Sequence, residues 1–211
     1  MPHTQRLETH FPVHVLVRDH QGLETMNREL AALIAEMRKA HAGTQLDAVR
    51  MQQCTTQGGF QTSAAANLFD HPAAVVRELR DSILKPAVDE YLALVFEAKP
   101  SNVKYGFHGW ANILRTGDWQ APHMHPTEYN IISGVYYVKT TARPEPEGWL
   151  EFINPDPMST MHGDSSSRRH PPAEGQLILF PPYYMHFVHP FKGEGERAVV
   201  GFDVRLEPPR A

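Results

Sequence analysis

The chain has 211 residues, enough for one domain with a sizeable core, and its 41% hydrophobic content excludes a globally disordered protein. The 20 basic and 24 acidic residues give a formal net charge of −4 without a basic stripe, so we expect no nucleic-acid partner. A single cysteine, Cys54, excludes an internal disulfide and a cysteine-rich metal site. The N-terminus has no signal-peptide pattern and no apolar run approaches membrane length, which predicts a cytoplasmic protein with no membrane partner.

The first elements predicted are a short strand and a long amphipathic helix. Residues 11–18 are rich in β-branched side chains, which favours a strand. Asp19 is a candidate cap for a helix over residues 20–42, with Gly43 as its stop. Apolar side chains fall at three- and four-residue spacings along this helix, so its stripe can serve the core or a homodimer. Residues 44–70 are polar and predict a loop with a short strand.

A second helix is predicted after Asp70, because Pro72 suits a first turn and an apolar stripe follows it. Pro86 lies inside this stripe, so we expect a kink or a break there. Residues 1–100 therefore supply a strand and supporting helices to the second half of the chain.

From Lys104 the hydrophobic period becomes two, which is typical of strands. Further short strands are predicted at 131–138, 149–153, 176–180 and 197–205. Residues 154–174 show no period and predict a mobile loop, a natural lid. The expected fold is α+β but mainly β: one structural domain in which residues 101–211 form a double-stranded β-helix, a jelly-roll or cupin-like barrel, on N-terminal supporting helices.

Three histidines are the candidate metal ligands. His123 and His125 are two residues apart, so in a strand or its extension both imidazoles face the same way. His186 follows a predicted strand and a Pro-Pro turn, which can bring it to the same point. Glu128 is the alternative to His125 as a ligand, or a general base, or an exposed carboxylate. A surface histidine pair in a polar loop is the plain alternative for His123 and His125.

Three other residues suit an anionic ligand. Arg197 lies in an apolar, β-branched stretch, so a buried guanidinium there must meet an anion, and a carboxylate could bind it through two hydrogen bonds. A rim salt bridge to Glu194 or Glu196 is the alternative. Tyr137 can join Arg197 on that carboxylate or be a core tyrosine, and Asn112 can bind the near end of the ligand or be a structural amide.

Several ordered blocks between residues 100 and 205 carry a family resemblance. They are Trp110-Ala-Asn-Ile, His123-Met-His-Pro, Ser133-Gly-Val-Tyr-Tyr-Val, Gly175-Gln-Leu-Ile-Leu-Phe-Pro-Pro, His186-Phe-Val-His-Pro and Arg197-Ala-Val-Val-Gly-Phe-Asp. Together they closely resemble a short family of iron(II)/2-oxoglutarate-dependent oxygenases from bacteria and phages. The resemblance implies a double-stranded β-helix that uses Fe(II), 2-oxoglutarate and O2.

The resemblance also implies roles for individual residues. His123 and His186 would be iron ligands, and Arg197 would anchor the distal carboxylate of 2-oxoglutarate. Tyr137 would assist Arg197, and Asn112 would contact 2-oxoglutarate.

The chain departs from the wider superfamily at one ligand. That superfamily uses two histidines and one carboxylate, whereas here His125 stands at the carboxylate position. Either His125 is a third nitrogen ligand, or water or Glu128 completes the site. The implied reaction oxidises an unactivated C–H bond of a small molecule, by hydroxylation or another outcome such as desaturation or ring closure, with release of succinate and CO2.

The substrate itself is not specified by the sequence; an amino acid of a biosynthetic pathway is one candidate, and a peptide residue is another. Within the predicted lid, Arg168, Arg169 or His170 could bind an acidic group of the substrate.

Two other functions fit the same barrel. The spacing Gly117-x5-His123-x-His125-x2-Glu128 is close to a cupin motif, which favours a three-histidine dioxygenase that does not use 2-oxoglutarate. A barrel that binds a metal or small ligand without catalysis is the third possibility.

Overall fold

The computed structural model describes residues 12–41, 55–63 and 66–207, and its strands form two antiparallel sheets. Gly43, the predicted stop of the first helix, lies outside the described residues. In chain order the strands are β1 (Leu16–Asp19), β2 (Thr56–Gln57), β3 (Phe60–Gln61), β4 (Tyr105–Leu114), β5 (Trp119–His123), β6 (Asn130–Thr140), β7 (Leu150–Ile153), β8 (Ser167–His170), β9 (Gln176–Phe180), β10 (His186–Val188) and β11 (Arg197–Leu206).

The two sheets have interleaved strand orders. The major sheet runs β1-β9-β6-β11-β4-β3, and the minor sheet runs β2-β5-β10-β7-β8. Strands that are consecutive in sequence alternate between the sheets from β4 to β7, as the chain winds around a common core. The predicted double-stranded β-helix is therefore confirmed, and the predicted strands from residue 104 onward all form.

Alternation along the major-sheet strands divides the apolar residues between two cores. On β11, Val199 packs between the sheets, whereas Val200 and Phe202 face the helices. On β6, Tyr137 likewise faces inward, and Tyr136 faces the helices and donates a hydrogen bond to Asn27 Oδ1 at 2.7 Å. Because side chains alternate, one face of each of these strands points between the sheets toward the site, and the other face packs against the helices.

Helix α1 spans Glu24–His41, and buried Met26, Leu30 and Ile34 pack it against the major sheet. It starts later than the sequence predicts, and Asp19 does not cap it. Asp19 ends β1, which pairs with β9 and so adds the N-terminal segment to the major sheet.

The second helical region is continuous but irregular. It begins with α2 (Ala74–Glu78), passes through a π-helical segment (Leu79–Leu84) and ends with α3 (Lys85–Val95). Pro86 has no N–H to donate to the turn before it, and the Lys85 N–H bonds five residues back to the Arg80 carbonyl. The predicted distortion at Pro86 is thus a wide turn rather than a break. No helix in the described ranges is long and apolar enough to cross a membrane.

Residues 154–174 are not the featureless loop that the sequence predicts. They contain a short 3-10 helix at Ser159–His162 and strand β8, which pairs with β7 at the edge of the minor sheet. The strand was missed because its residues Ser167–His170 are polar, and an edge strand that faces solvent needs no apolar alternation.

Candidate metal centre and anion pocket

The three candidate histidines meet between the sheets. His123 ends β5, His186 begins β10, and the two are direct partners in the antiparallel ladder. His125 lies two residues after His123, and its backbone N–H donates a hydrogen bond to the Pro182 carbonyl oxygen at 2.9 Å. One ring nitrogen from each histidine lies within 4.8 Å of the others, so the three could share a metal ion.

The other ring nitrogen of each histidine is already in a hydrogen bond. His123 Nδ1 lies 2.7 Å from the Ala121 carbonyl, and His186 Nδ1 lies 2.8 Å from the Tyr184 carbonyl. His125 Nδ1 lies 2.6 Å from Asp203 Oδ1. Carbonyl and carboxylate oxygens only accept, so each Nδ1 carries a proton, and the neutral form of each ring has its lone pair on Nε2. All three side chains are therefore prepared to bind a metal through Nε2.

Burial keeps two of the histidines uncharged. Desolvation lowers the pKa of His123 to about 4, although its bond to the Ala121 carbonyl opposes the shift. Desolvation also holds the pKa of His186 well below its usual value, and the neighbouring His123 and His125 add to the effect. Neutral imidazole is the form that binds metal, so these ligands need release no proton at neutral pH.

Glu128, the alternative ligand, does not join this group. Its side chain is exposed in the loop between β5 and β6, and the cluster that could hold a metal consists of the three histidines alone among the described residues. His189, three residues after His186, lies on the outer side and bonds to Glu151 Oε2 at 2.5 Å.

A cavity of about 310 Å³ extends inward from the histidines to Arg197. The Arg197 side chain is 1% exposed, and its Nε and Nη1 have no hydrogen-bond partner among the described residues. Its Nη2 donates weakly to the Tyr137 hydroxyl at 3.4 Å. The alternative rim salt bridge to Glu194 or Glu196 does not form within the described ranges, where Glu196 pairs instead with Arg115 and Lys139.

Asn112 lines the same cavity on β4 and is fully buried. Its Nδ2 donates to Thr56 Oγ1 at 2.7 Å, while its Oδ1 has no partner in the described part of the chain. The Thr56 hydroxyl accepts this bond and donates its own proton to Gln61 Oε1 at 2.7 Å, so Oδ1 is the Asn112 atom that is left to contact a ligand in the cavity.

The basic residues predicted to bind substrate do not line this cavity. Arg168, Arg169 and His170 lie on β8, at the edge of the minor sheet. Arg169 bonds to Glu151 and Glu145, and Arg168 is exposed near Asp164.

Sequence reasoning missed two polar residues of the site. Asp203 lines the cavity and contacts His125, and Arg205 lies on the same strand face and lines the cavity too. Both are an even number of residues from Arg197, so the strand period could have assigned them to its face. Their partners could not be read from that period, because the contacts are distant in sequence.

Comparison with known proteins agrees with this geometry. Residues 108–203 match the model of a family described as "Putative 2OG-Fe(II) oxygenase". No curated protein sequence matches the chain.

Among solved structures, the chain is similar to a prolyl-4-hydroxylase from Pseudomonas putida, with 17% identity, a TM-score of 0.61 and coverage of 90% of this chain and 92% of that one. It is similar to a prolyl hydroxylase from Trichoplax adhaerens, solved with a hypoxia-inducible-factor peptide fragment, with 11% identity, a TM-score of 0.64 and coverage of 90% and 83%. It is also similar to HygX from Streptomyces hygroscopicus, solved with nickel and 2-oxoglutarate, with 11% identity, a TM-score of 0.59 and coverage of 92% and 82%.

At these identities the structural likeness establishes the double-stranded β-helix fold. The family match adds the activity class, and its range includes the three histidines, Arg197, Tyr137 and Asn112. Residues 108–203, which are 96 of the 211 residues, therefore match the 2OG-Fe(II) oxygenase family of oxidoreductases.

Proposed function

We propose that this protein uses Fe(II), O2 and 2-oxoglutarate to oxidise an unactivated C–H bond of a small molecule. The observation that carries the proposal is Arg197, a buried guanidinium with two nitrogens that have no partner among the described residues, in the cavity that the three histidines also line. An unpaired buried charge is costly, so the cavity is built for an anion. A carboxylate of 2-oxoglutarate supplies that anion and can bind through two parallel hydrogen bonds.

The ligand set that we propose for iron is His123, His125 and His186. Imidazole nitrogen suits iron(II), and Nε2 is the nitrogen that each ring, in its neutral form, offers to a metal. Iron(II) held there would supply the oxidising chemistry, in which O2 and 2-oxoglutarate yield succinate and CO2 and one oxygen atom is left for the substrate.

The protein's own part is to bind and orient the reactants. Arg197 and Tyr137 would hold the distal carboxylate of 2-oxoglutarate, and Asn112 would contact its other end. Apolar Leu150, Phe180 and Val199 line the cavity beside these polar groups. They keep water from the reacting atoms and strengthen the charge interaction at Arg197.

We further propose that Arg205, and not a residue of β8, binds an acidic group of the substrate. Arg205 lines the cavity and is exposed at its open end. Its Nε donates to Asn130 Oδ1 at 3.1 Å, and no carboxylate in the described ranges pairs with its guanidinium. A panel of acidic and neutral amino acids tests this, with succinate as the readout: Arg205→Gln should remove stimulation by acidic compounds, and exposed Arg168→Gln should keep it.

The rival activities make different predictions. A three-histidine dioxygenase that binds its substrate directly predicts that Arg197 pairs with an anionic group of the primary substrate and that no succinate forms. A non-catalytic metal-binding barrel predicts no succinate and no coupling between metal and 2-oxoglutarate.

The central experiment is anaerobic reconstitution with Fe(II) followed by addition of 2-oxoglutarate. We expect the weak visible charge-transfer band of an Fe(II)–2-oxoglutarate complex, and succinate once O2 is admitted. Absence of both would overturn the proposal. For the ligand set, His125→Ala should abolish iron binding and Glu128→Ala should not; the reverse result would assign the third ligand to Glu128.

A further inference from the structure

Asp203 is a buried carboxylate that faces a histidine of the site rather than a basic side chain. It lies on the inner face of β11 and is 3% exposed. Its Oδ1 is 2.6 Å from His125 Nδ1 and accepts from the Ser133 hydroxyl at 2.7 Å, and its Oδ2 accepts from Asn130 Nδ2 at 3.1 Å. Within the described residues no lysine or arginine forms an ion pair with it.

Such a carboxylate is costly to bury without a positive partner. The donors around Asp203 solvate its oxygens, but all of them are neutral groups when His125 is neutral. The nearby Arg205 donates its Nε hydrogen bond to Asn130 rather than to Asp203. Across the His125 ring from Asp203, Nε2 is the nitrogen available to the histidine cluster, where a metal ion would supply a compensating positive charge. A metal ion bound at His125 Nε2 would therefore compensate the buried charge of Asp203.

The three histidines differ in this respect. His123 and His186 each bond through Nδ1 to the carbonyl two residues earlier in the chain, which is a neutral and local partner. His125 alone has a carboxylate behind it, delivered from another strand. His125 is also the position at which related oxygenases carry a ligand carboxylate.

We propose that Asp203 supplies the negative charge of this metal centre through His125. In the two-histidine, one-carboxylate arrangement the carboxylate touches the metal. Here it would act one ring away, fixing His125 with Nε2 toward the metal and making that nitrogen a stronger donor. Asp203 is thus a positioning residue, and the inference rests on the proposed role of His125 as a ligand.

The test compares metal affinity in three variants, measured by competition with a chromophoric chelator for Co(II) on folded apo-protein. Asp203→Asn keeps the shape and removes the charge, and it should weaken Co(II) binding about 10–100-fold. Ser133→Ala removes a neutral hydroxyl that donates to the same carboxylate and lies 2.9 Å from His125 Nδ1, and because it leaves the charge in place it should cause a smaller loss. His125→Ala should lose Co(II) binding.

The outcomes separate the two proposals. If His125→Ala binds Co(II) as well as wild type, the three-histidine ligand set is wrong. If His125→Ala loses Co(II) while Asp203→Asn binds it with wild-type affinity and an unchanged visible spectrum, only the role of Asp203 is wrong. A weakened Asp203→Asn with a near-normal Ser133→Ala supports the charge as the cause.

A measurement on the wild-type protein decides the matter if Asp203→Asn does not fold. In a long-range ¹H–¹⁵N spectrum of Zn(II)-loaded protein, His125 should bind through Nε2 and retain its Nδ1 proton. That proton should resonate further downfield than those of His123 and His186, because its acceptor is charged. A His125 bound through Nδ1, or three equivalent protons, would refute the proposal.

Discussion

The Arg197 guanidinium lies over the ring of Tyr137, with its central carbon 4.9 Å from the ring centre. The contact is a cation–π interaction on one side of a cation whose Nε and Nη1 have no hydrogen-bond partner in the described part of the chain. Tyr137 therefore fixes the direction of the guanidinium without neutralising it, and the free nitrogens are left for a ligand.

Replacing Arg197 with Met should abolish the binding of 2-oxoglutarate without lowering the stability of the fold. We expect the metal-loaded variant to lose binding of 2-oxoglutarate, measured by calorimetry. The apo-variant should melt at the same temperature as wild type or higher, because the change removes an unpaired buried charge. Arg115→Met, which breaks an exposed pair with Glu196, is the control and should bind 2-oxoglutarate normally. A wild-type affinity in Arg197→Met would contradict the assignment.

Two adjacent tyrosines offer a matched pair of variants. Tyr137→Phe removes the hydroxyl beside Arg197, so the affinity for 2-oxoglutarate should fall by about 2–10-fold, the value of one modest hydrogen bond. Tyr136→Phe removes the hydroxyl bonded to Asn27 on the helix side, so it should lower the melting temperature and leave that affinity unchanged. Equal effects of both variants on the affinity would argue against a role for Tyr137 in the pocket.

Gly201 allows Trp110 to lie close to the backbone of β11. A Cβ on Gly201 would come within 2.7 Å of Trp110 Nε1, and the indole packs on its other side toward His125, with ring centres 5.5 Å apart. Gly201→Ala should therefore cost about 1–3 kcal/mol of unfolding free energy and weaken metal binding as the indole shifts.

The control for this variant is Gly106→Ala on the neighbouring strand β4, where an added Cβ meets nothing within 4 Å. Chemical denaturation and Co(II) titration measure both effects. Normal metal binding in a destabilised Gly201→Ala protein would show that Trp110 does not position His125.

Glu151 makes a contribution to the free energy of unfolding that depends on pH. Burial would raise the pKa of its carboxyl, but hydrogen bonds from Ser167, His189 and Arg169 outweigh this and lower it from 4.5 to about 2. The unfolded chain therefore binds this proton more readily than the folded one. The contribution is complete above pH 4.5 and is lost as the pH falls from 4.5 toward 2.

Denaturation of wild type and Glu151→Gln as a function of pH tests this. At pH 7 the variant should be less stable by about 1–3 kcal/mol, because the hydrogen bonds to a charged acceptor are lost. The difference should shrink as the pH falls below 4.5. A constant difference would show that the lowered pKa does not contribute to stability.

Most of the fold could be predicted from the alternation of apolar and polar residues along the strands. The sequence predicted strands at residues 131–138 and 197–205, and both form, as β6 and β11. It made Tyr137 and Arg197 candidates for the inner face, and the structure places both side chains between the sheets. Strand β8 escaped prediction because it lies at an edge, where polar residues are sufficient.

Pairing between distant side chains was beyond the same reasoning. Periodicity gives the face on which a residue lies, but not which residue of another strand it meets. The bond between His125 and Asp203 and the pairing of Arg169 with Glu151 both depend on how separate strands are aligned. For this reason the group of three histidines was predictable from its motif, while the Asp203 carboxylate bonded to His125 was not.

Strand β11 restricts the kinds of sequence change by which this protein can diversify. Its alternate residues from Arg197 to Arg205 all line the cavity, and it pairs along its length with β4 and β6. A single inserted or deleted residue would turn every side chain beyond that point to the opposite face. Arg197 and Asp203, the residue behind His125, would then no longer lie on the same face. Natural or designed changes of substrate should therefore occur as point substitutions in β11, and changes of length should be confined to the loops around the cavity mouth.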